Sequence, residues 1–364
     1  MRLISVNQCQ PGEKLAKTIF TSKGTVLIGA GVTLTQKMLD RLKELNFTSI
    51  YIEDKQTDDL VVADVLSEET RREAMATITS VFQAFYSEPG RWQQLFVHQD
   101  VGKKFRQVMI SVIDELKQNR SALNLLGIVC SVDHYIFSHS FHVALYTTSL
   151  GMKLGLSDRE LIEVGMGAML HDVGMMAIPP DLLLKPGALT AEEYELVKKH
   201  TEIGFELLRR QEEISLLTAH CAYQHHERCD GSGYPRQLTE EEIHPYAKIL
   251  AVCDVFDALT TNRSYRPAVL PHLAMEVLFA GADKLFVKEI VEAFHGTIAL
   301  YPIGLTVRLT TGEEGVVVDY NRGAPSRPIV RILKNPAGET VSAPYEIDLS
   351  KHLDVMIAAC DVFV

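Results

Sequence analysis

The spacing of hydrophobic positions changes twice along the chain. In residues 1 to about 55, short apolar runs (RLISV, AKTIF, TVLIG) are broken by PG, SKG and GAG turns, which predicts short strands. TLTQKMLDRLKELNF then places Leu39, Leu42 and Leu45 on one helical face, with Thr33 or Thr35 available as N-cap, and TSIYIED closes the unit as a strand. Polar residues 53–60 read as a linker. From about 65 to 300 the apolar period is helical almost throughout. SEETRREAMATITSVFQAFY predicts one helix ended by SEPG, VGKKFRQVMISVIDELKQN predicts another, and amphipathic segments continue to EIVEAFHGTIALY. After Pro302 the pattern alternates in LTVRLTT, GVVVDYN, RPIVRIL and TVSAPYEIDL, with turns at TGEEG, NRGAPS and NPAGE, as a small β domain would. No block repeats at a fixed period.

Composition adds bounds. The chain has 364 residues, 46% hydrophobic and 23% charged, which is ordinary for a globular protein of more than one domain. The net charge of −11 argues against a nucleic-acid polymer as partner, and an anionic small substrate would need local help from a metal or a few arginines. The six cysteines form no CxxC pair and no regular framework, so they read as reduced thiols of a cytoplasmic protein. The opening MRLISVNQCQPGEK lacks the apolar stretch of a signal peptide, and no run of 18 apolar residues predicts a membrane span.

The chemistry concentrates in the helical region. Eight of the thirteen histidines (His134, His139, His142, His171, His200, His220, His225, His226) fall between residues 134 and 226, several times what a uniform scatter would place there. Histidine mixed with aspartate on helices is what a metal site needs, because neutral imidazole and carboxylate ligate Zn, Mn and Fe. In AMLHDVG, the adjacent His171 and Asp172 point about 100° apart on a helix, so one can reach a metal directly while the other bridges. QHHERCDGSGYP pairs His225 and His226 before a turn-rich loop, and ILAVCDVFDAL sets Asp254 in an apolar helix, where an unpartnered carboxylate is costly to bury. Each piece alone is weak: HD dipeptides are common, His-His pairs occur on surfaces, and Asp254 could be a capped or salt-bridged core acid.

Taken together and in this order, these pieces resemble the HD-GYP family, a branch of the HD metal-dependent phosphohydrolases. The resemblance runs from about Asp133 to Arg266. It includes His171-Asp172, Ile178-Pro179, the KPG at Lys185 with Leu189-Thr190 after it, His200 closing VKKH, HHERCDGSGYP with Gly233-Tyr234-Pro235, and DVFDALTTNRSYR. It implies a mainly α protein: an HD-type helical bundle with a small N-terminal α/β unit and a small C-terminal β domain. It also implies two or three metal ions, often iron or manganese, and hydrolysis of cyclic di-GMP to linear pGpG or on to GMP. By position, the ligands would be His139, His171, Asp172, His200, His225, His226 and Asp254, with Asp172 as the bridge. The expected partition puts His139, His171 and Asp254 on one ion and His200, His225 and His226 on the other. His171 and Asp172 would sit at the reaction centre, Arg263 and Arg266 would contact phosphate, and Tyr234 with Gly231 and Gly233 would shape the substrate mouth. Some members hold a third ion with a glutamate one turn before the first ligand histidine; here that residue is Tyr135, so two ions are expected.

One position departs from the family. Its members usually carry lysine three residues after the HD aspartate, whereas this chain has Met175, which offers neither charge nor donor. Two readings follow: a phosphodiesterase of reduced rate, or a catalytically weak domain that senses cyclic di-GMP or docks a protein. Retention of all seven ligands favours the enzyme, and the GYP loop argues against an HD hydrolase acting on another nucleotide. His134, His142 and His220 read as hydrogen-bonded core or surface histidines, and Trp92 as a helix-joint packer. The expected divisions are a regulatory α/β unit at 1–58, connecting helices at 59–125, the helical HD-GYP domain at 126–301 and the β domain at 302–364. The long helices between 65 and 117 are candidates for a homodimer contact, and the terminal units for protein partners.

Overall fold

The computed structural model describes residues 1–21, 25–45, 47, 49–60, 62, 65–87, 100–119, 135–183, 185, 187–261, 268–321 and 323–360, the side chains of 84–87 and 135 excepted. In the N-terminal unit β1 (Arg2–Ser5) pairs antiparallel with β4 (Ser49–Ile52), and β2 (Ile19–Phe20) with β3 (Val26–Ile28). Helix α1 (Gln36–Glu44) packs on them. Thr35 caps it, its hydroxyl accepting from the Met38 amide, and Leu39 and Leu42 are buried beneath it beside Ile4, Leu15 and Ile50.

The helical region comprises α2 (Glu68–Ser87), α3 (Val101–Gln118), α4 (Tyr135–Lys153), α5 (Asp158–Leu170), α6 (Pro180–Leu183), α7 (Ala191–Lys198), α8 (His200–Leu208), α9 (Leu216–Gln224), α10 (Pro245–Thr260), α11 (Pro271–Ala280) and α12 (Lys288–His295). Helix starts follow local chemistry: Ser157 with Glu160 and Thr190 with Glu193 form capping boxes at α5 and α7, and Pro245 opens α10. Helices α4 and α10, which carry His139 and Asp254, are clamped by aromatic edges. Tyr146 meets Phe256 at 5.7 Å between centroids, and Phe256 meets Phe294 of α12 at 5.1 Å. Such pairs contribute about 0.5–1.5 kcal/mol each beyond the area they bury. The expected helices of 68–87 and 101–118 are present and feed Phe82, Phe105 and Met109 into the same core as the histidine-bearing helices.

The C-terminal unit is a five-stranded antiparallel sheet in the order β8-β7-β6-β5-β9: β5 (Thr306–Leu309), β6 (Glu314–Asp319), β7 (Ile329–Lys334), β8 (Thr340–Asp348) and β9 (Ile357–Cys360). Four of these strands match the predicted runs. The fifth, β9, was not predicted: its IAAC segment is too short to show alternation, and it is a strand because it finds the edge of β5. The terminal units touch. Leu3 forms a parallel bridge with Leu305, Thr306 Oγ1 donates to the Leu3 carbonyl at 2.9 Å, and Arg331 forks onto Asp59 (2.6 Å) and Glu346 (2.9 Å). No described helix is long and apolar enough to cross a membrane.

Candidate metal centre

Seven side chains from five segments converge inside the helical bundle. His139 comes from the middle of α4, His171 and Asp172 from the end of α5, His200 from the start of α8, His225 and His226 from the end of α9, and Asp254 from the middle of α10. All but His226 are buried. Backbone close approach helps to assemble them. A Cβ on Gly174, two residues after Asp172, would lie 2.0 Å from the His200 carbonyl oxygen, so only glycine lets the turn after α5 press against α8.

The ligand atoms form two groups, each within 4.8 Å of itself: His139, His171 and Asp254, and Asp172, His200, His225 and His226. Asp172 belongs to both in a physical sense. Its Oδ2 lies 3.4 Å from His171 Nε2 and 3.8 Å from His139 Nε2, while Oδ1 lies 3.5 Å from His200 Nε2 and 3.7 Å from His225 Nε2. One carboxylate oxygen therefore faces each histidine set. Asp254 Oδ1 approaches His139 Nε2 at 3.1 Å and its Oδ2 approaches His226 Nδ1 at 3.9 Å.

The outward nitrogens are fixed by the backbone. His171 Nδ1 lies 2.7 Å from the Ala168 carbonyl, His200 Nδ1 lies 2.7 Å from that of Val197, and His225 Nδ1 lies 3.0 Å from that of Ala222. Carbonyls only accept, so each Nδ1 carries a proton and donates, and in its neutral form each ring turns an Nε2 lone pair inward. His200 Nε2 and His225 Nε2 stand 3.3 Å apart, and with both rings in that form their lone pairs face, an arrangement a cation between them relieves. His171 Nε2 and Asp172 Oδ1 are buried without a hydrogen-bond partner among the described residues. Orphaned acceptors aimed at one another, drawn from imidazole and carboxylate, fit divalent metal ions.

The electrostatics agree. Burial opposes the charged forms throughout, yet the Asp172 carboxyl is held well below its ordinary range by His171, His225 and His200, and Asp254 is held down by His139 and His226. Burial lowers His200 to about 4 and holds His226 well below its ordinary value, favouring the neutral form that metal ligation needs. His171 and His139 go the other way. Burial disfavours both cations, but Asp172 and Asp254 outweigh that at His171, and Asp254 and Asp257 raise His139 to about 9.

Asp257 is a candidate site residue not predicted from the sequence. Its Oδ2 sits 2.7 Å from His139 Nδ1 and its Oδ1 3.3 Å from His142 Nδ1, so it holds the ring of a candidate ligand from behind. The signal was available: Asp257 follows Asp254 by three residues on an apolar helix, so the two share a face, and His139 and His142 repeat that spacing on α4. His142 therefore belongs to the site's surroundings. His220 packs against Phe205, at 5.0 Å between centroids.

The GYP loop covers one side. The Tyr234 ring stacks on His226 at 4.7 Å, and its hydroxyl pKa is raised by burial. Buried Glu227 fixes the loop, accepting from the Arg236 amide at 2.7 Å and the Leu238 amide at 3.0 Å. A Cβ on Gly233 would lie 2.4 Å from the Arg228 nitrogen, so the loop cannot fold this tightly with another residue there. Gly231 has φ of +77°, the left-handed region that glycine favours. Met175, in the turn after Asp172, is half-buried and packs against the main core. Lys185 is taken by both oxygens of Glu193, at 2.6 and 2.8 Å. Arg263, Arg266, His134 and Trp92, and the side chain of Tyr135, lie outside the described residues.

Residues 117–288 match the HD domain family, and residues 306–362 match the KOW domain associated with HD domain. Within that match lie the His171-Asp172 pair and the GYP loop that flank one cage. It is 33% identical over 236 residues to a cyclic di-GMP phosphodiesterase of Pseudomonas aeruginosa, covering 65% of this chain and 56% of the relative. It is 46% identical over 142 residues to the cyclic di-GMP phosphodiesterase response regulator RpfG of Xanthomonas campestris, covering 39% and 38%. The chain thus spans about half or less of the curated relatives it matches. Among solved structures, an HDGYP protein of Bdellovibrio bacteriovorus superposes with a TM-score of 0.51 at 18% identity, over 80% of this chain and 97% of that one, a likeness of fold.

Proposed function

We propose that this protein is a metal-dependent phosphodiesterase that opens cyclic di-GMP to linear pGpG, or on to GMP, in the bacterial cytoplasm. The observation that carries this reading is Asp172, whose two oxygens face separate histidine sets and so suit a shared ligand of a two-ion site. The relatives' names support the substrate, and the reduced cysteines among the described residues support the compartment.

In this reading His139, His171 and Asp254 would hold one ion, His200, His225 and His226 would hold the other, and Asp172 would be available to both. Iron or manganese is the expected identity. Such ions, when bound, act as Lewis acids on a phosphodiester and offset the charge that develops in its cleavage. The protein's own residues do the rest. The Ala168, Val197 and Ala222 carbonyls fix three imidazoles in the ligating tautomer. Asp257 holds His139, the aromatic clamp fixes α4 against α10, and the buried surroundings keep bulk water from the carboxylates. Tyr234, stacked on His226, forms a wall of the substrate mouth, and Arg263 and Arg266 supply guanidinium contacts to phosphate.

The decisive experiment incubates metal-loaded protein with cyclic di-GMP and separates the products. Linear pGpG or GMP is expected. Tight binding with no linear product over hours would replace the enzyme with the sensor that Met175 suggests.

A further inference from the structure

The GYP loop brings a lysine to the edge of the cage. Lys198 is the last residue of α7, two before the ligand His200, so its backbone is tied to the centre. Its ammonium lies 4.8 Å from the Tyr194 ring centroid and 5.4 Å from that of Tyr234. These two rings meet edge to face at 6.2 Å, and Tyr234 stacks in turn on His226 at 4.7 Å. One aromatic ring therefore separates this cation from a ligand imidazole. The Lys198 side chain keeps 26% of its exposure, and its acidic partner, Glu195 at 2.6 Å, is an i,i–3 surface neighbour that is itself 67% exposed. A pair so open to water holds the ammonium weakly. Lys185, by contrast, is committed to Glu193.

A cyclic dinucleotide has two phosphates, and only one can occupy the reaction centre. The other also needs counter-charge on a chain whose net charge is −11, a task Lys198 would share with the arginines assigned to phosphate above. We infer that Lys198, framed by Tyr194 and Tyr234, binds the non-reacting phosphate of the dinucleotide beside the metal cage. This inference rests on the phosphodiesterase reading above. The rings confine the ammonium to one side of the mouth without neutralising it, and exchanging Glu195 for a phosphate costs little because that carboxylate returns to water.

The test measures kcat and KM for cyclic di-GMP with manganese-loaded full-length protein, over a series of NaCl concentrations, for wild type, Lys198→Met and Lys198→Arg. Metal content and thermal midpoint are followed in parallel. Removing one charge-assisted hydrogen bond to the bound substrate corresponds to about a tenfold or greater rise in KM. Lys198→Met should show that rise with wild-type metal content and a shallower salt dependence, and Lys198→Arg should recover most of the affinity. Wild-type turnover with a Lys198→Met KM within twofold of wild type would overturn this inference alone. Wild-type protein that neither binds nor cleaves cyclic di-GMP would overturn the substrate assignment, and this inference with it.

Discussion

Asp257→Asn probes the support of the metal centre without touching a ligand. Asparagine preserves volume but removes the charge and one of the two acceptor oxygens. In the wild type those oxygens face two imidazole nitrogens, His139 Nδ1 at 2.7 Å and His142 Nδ1 at 3.3 Å. His139 is 2% exposed, and its Nδ1 points at Asp257 where the Nδ1 atoms of His171, His200 and His225 point at the Ala168, Val197 and Ala222 carbonyls. Asp257 is thus its main orienting group. Removing such a partner from behind a ligating histidine typically lowers metal affinity about 10- to 100-fold, equivalent to about 1.4–2.7 kcal/mol. The effect should fall on the set of His139, His171 and Asp254, because Asp257 faces His139 and not the histidines of the other set. Competition titration with a chelator, with elemental analysis after dialysis, should therefore show one ion released at lower chelator concentration while the other holds. Two ions retained at wild-type affinity would refute the assignment of Asp257 as the group that orients His139.

Three further outcomes follow from the same geometry. Asp172→Ala removes the oxygens that face both histidine sets and should release at least one ion and abolish dinucleotide cleavage; unchanged metal content by elemental analysis would contradict the bridging role. Met175→Lys restores a charge in the turn after Asp172, and should raise kcat by about tenfold or more, since one hydrogen bond to a transition-state charge is worth about 10²–10³; an unchanged rate would make the residue irrelevant. In chelator-stripped protein His139 is raised from 6.5 to about 9 by Asp254 and Asp257. Its contribution to stability is fully present below about pH 6.5 and disappears as pH rises through about 9. The thermal midpoint of stripped protein should fall across that window, and metal uptake at about pH 7.5 should release protons measurable in weakly buffered solution; a flat profile with no proton release would count against it.

Much of the cluster was legible because its candidate ligands sit in compact motifs. His171-Asp172 and His225-His226 are adjacent pairs at helix ends, and Asp254 stands out as a charge in an apolar helix. Secondary structure was equally open where periodicity was strong, as in α1 with its Thr35 cap. What stayed hidden depends on tertiary packing. Nothing in spacing alone tells that α4 lies against α10, so the Asp257–His139 hydrogen bond across 118 residues was invisible even though each residue's helical face could be read. Lys198 and Tyr194 belong to a different segment from the GYP loop, and their closeness to Tyr234 follows only from how α7 and the loop pack. The strand at Ile357–Cys360 likewise owes its conformation to a partner rather than to its own pattern.

The most direct test is anomalous diffraction from crystals of protein loaded with manganese. Two anomalous peaks, one against each oxygen of Asp172 and each ringed by its own histidines, are the predicted result. A single peak, or peaks that leave Asp172 away from any metal, would contradict the account at its centre.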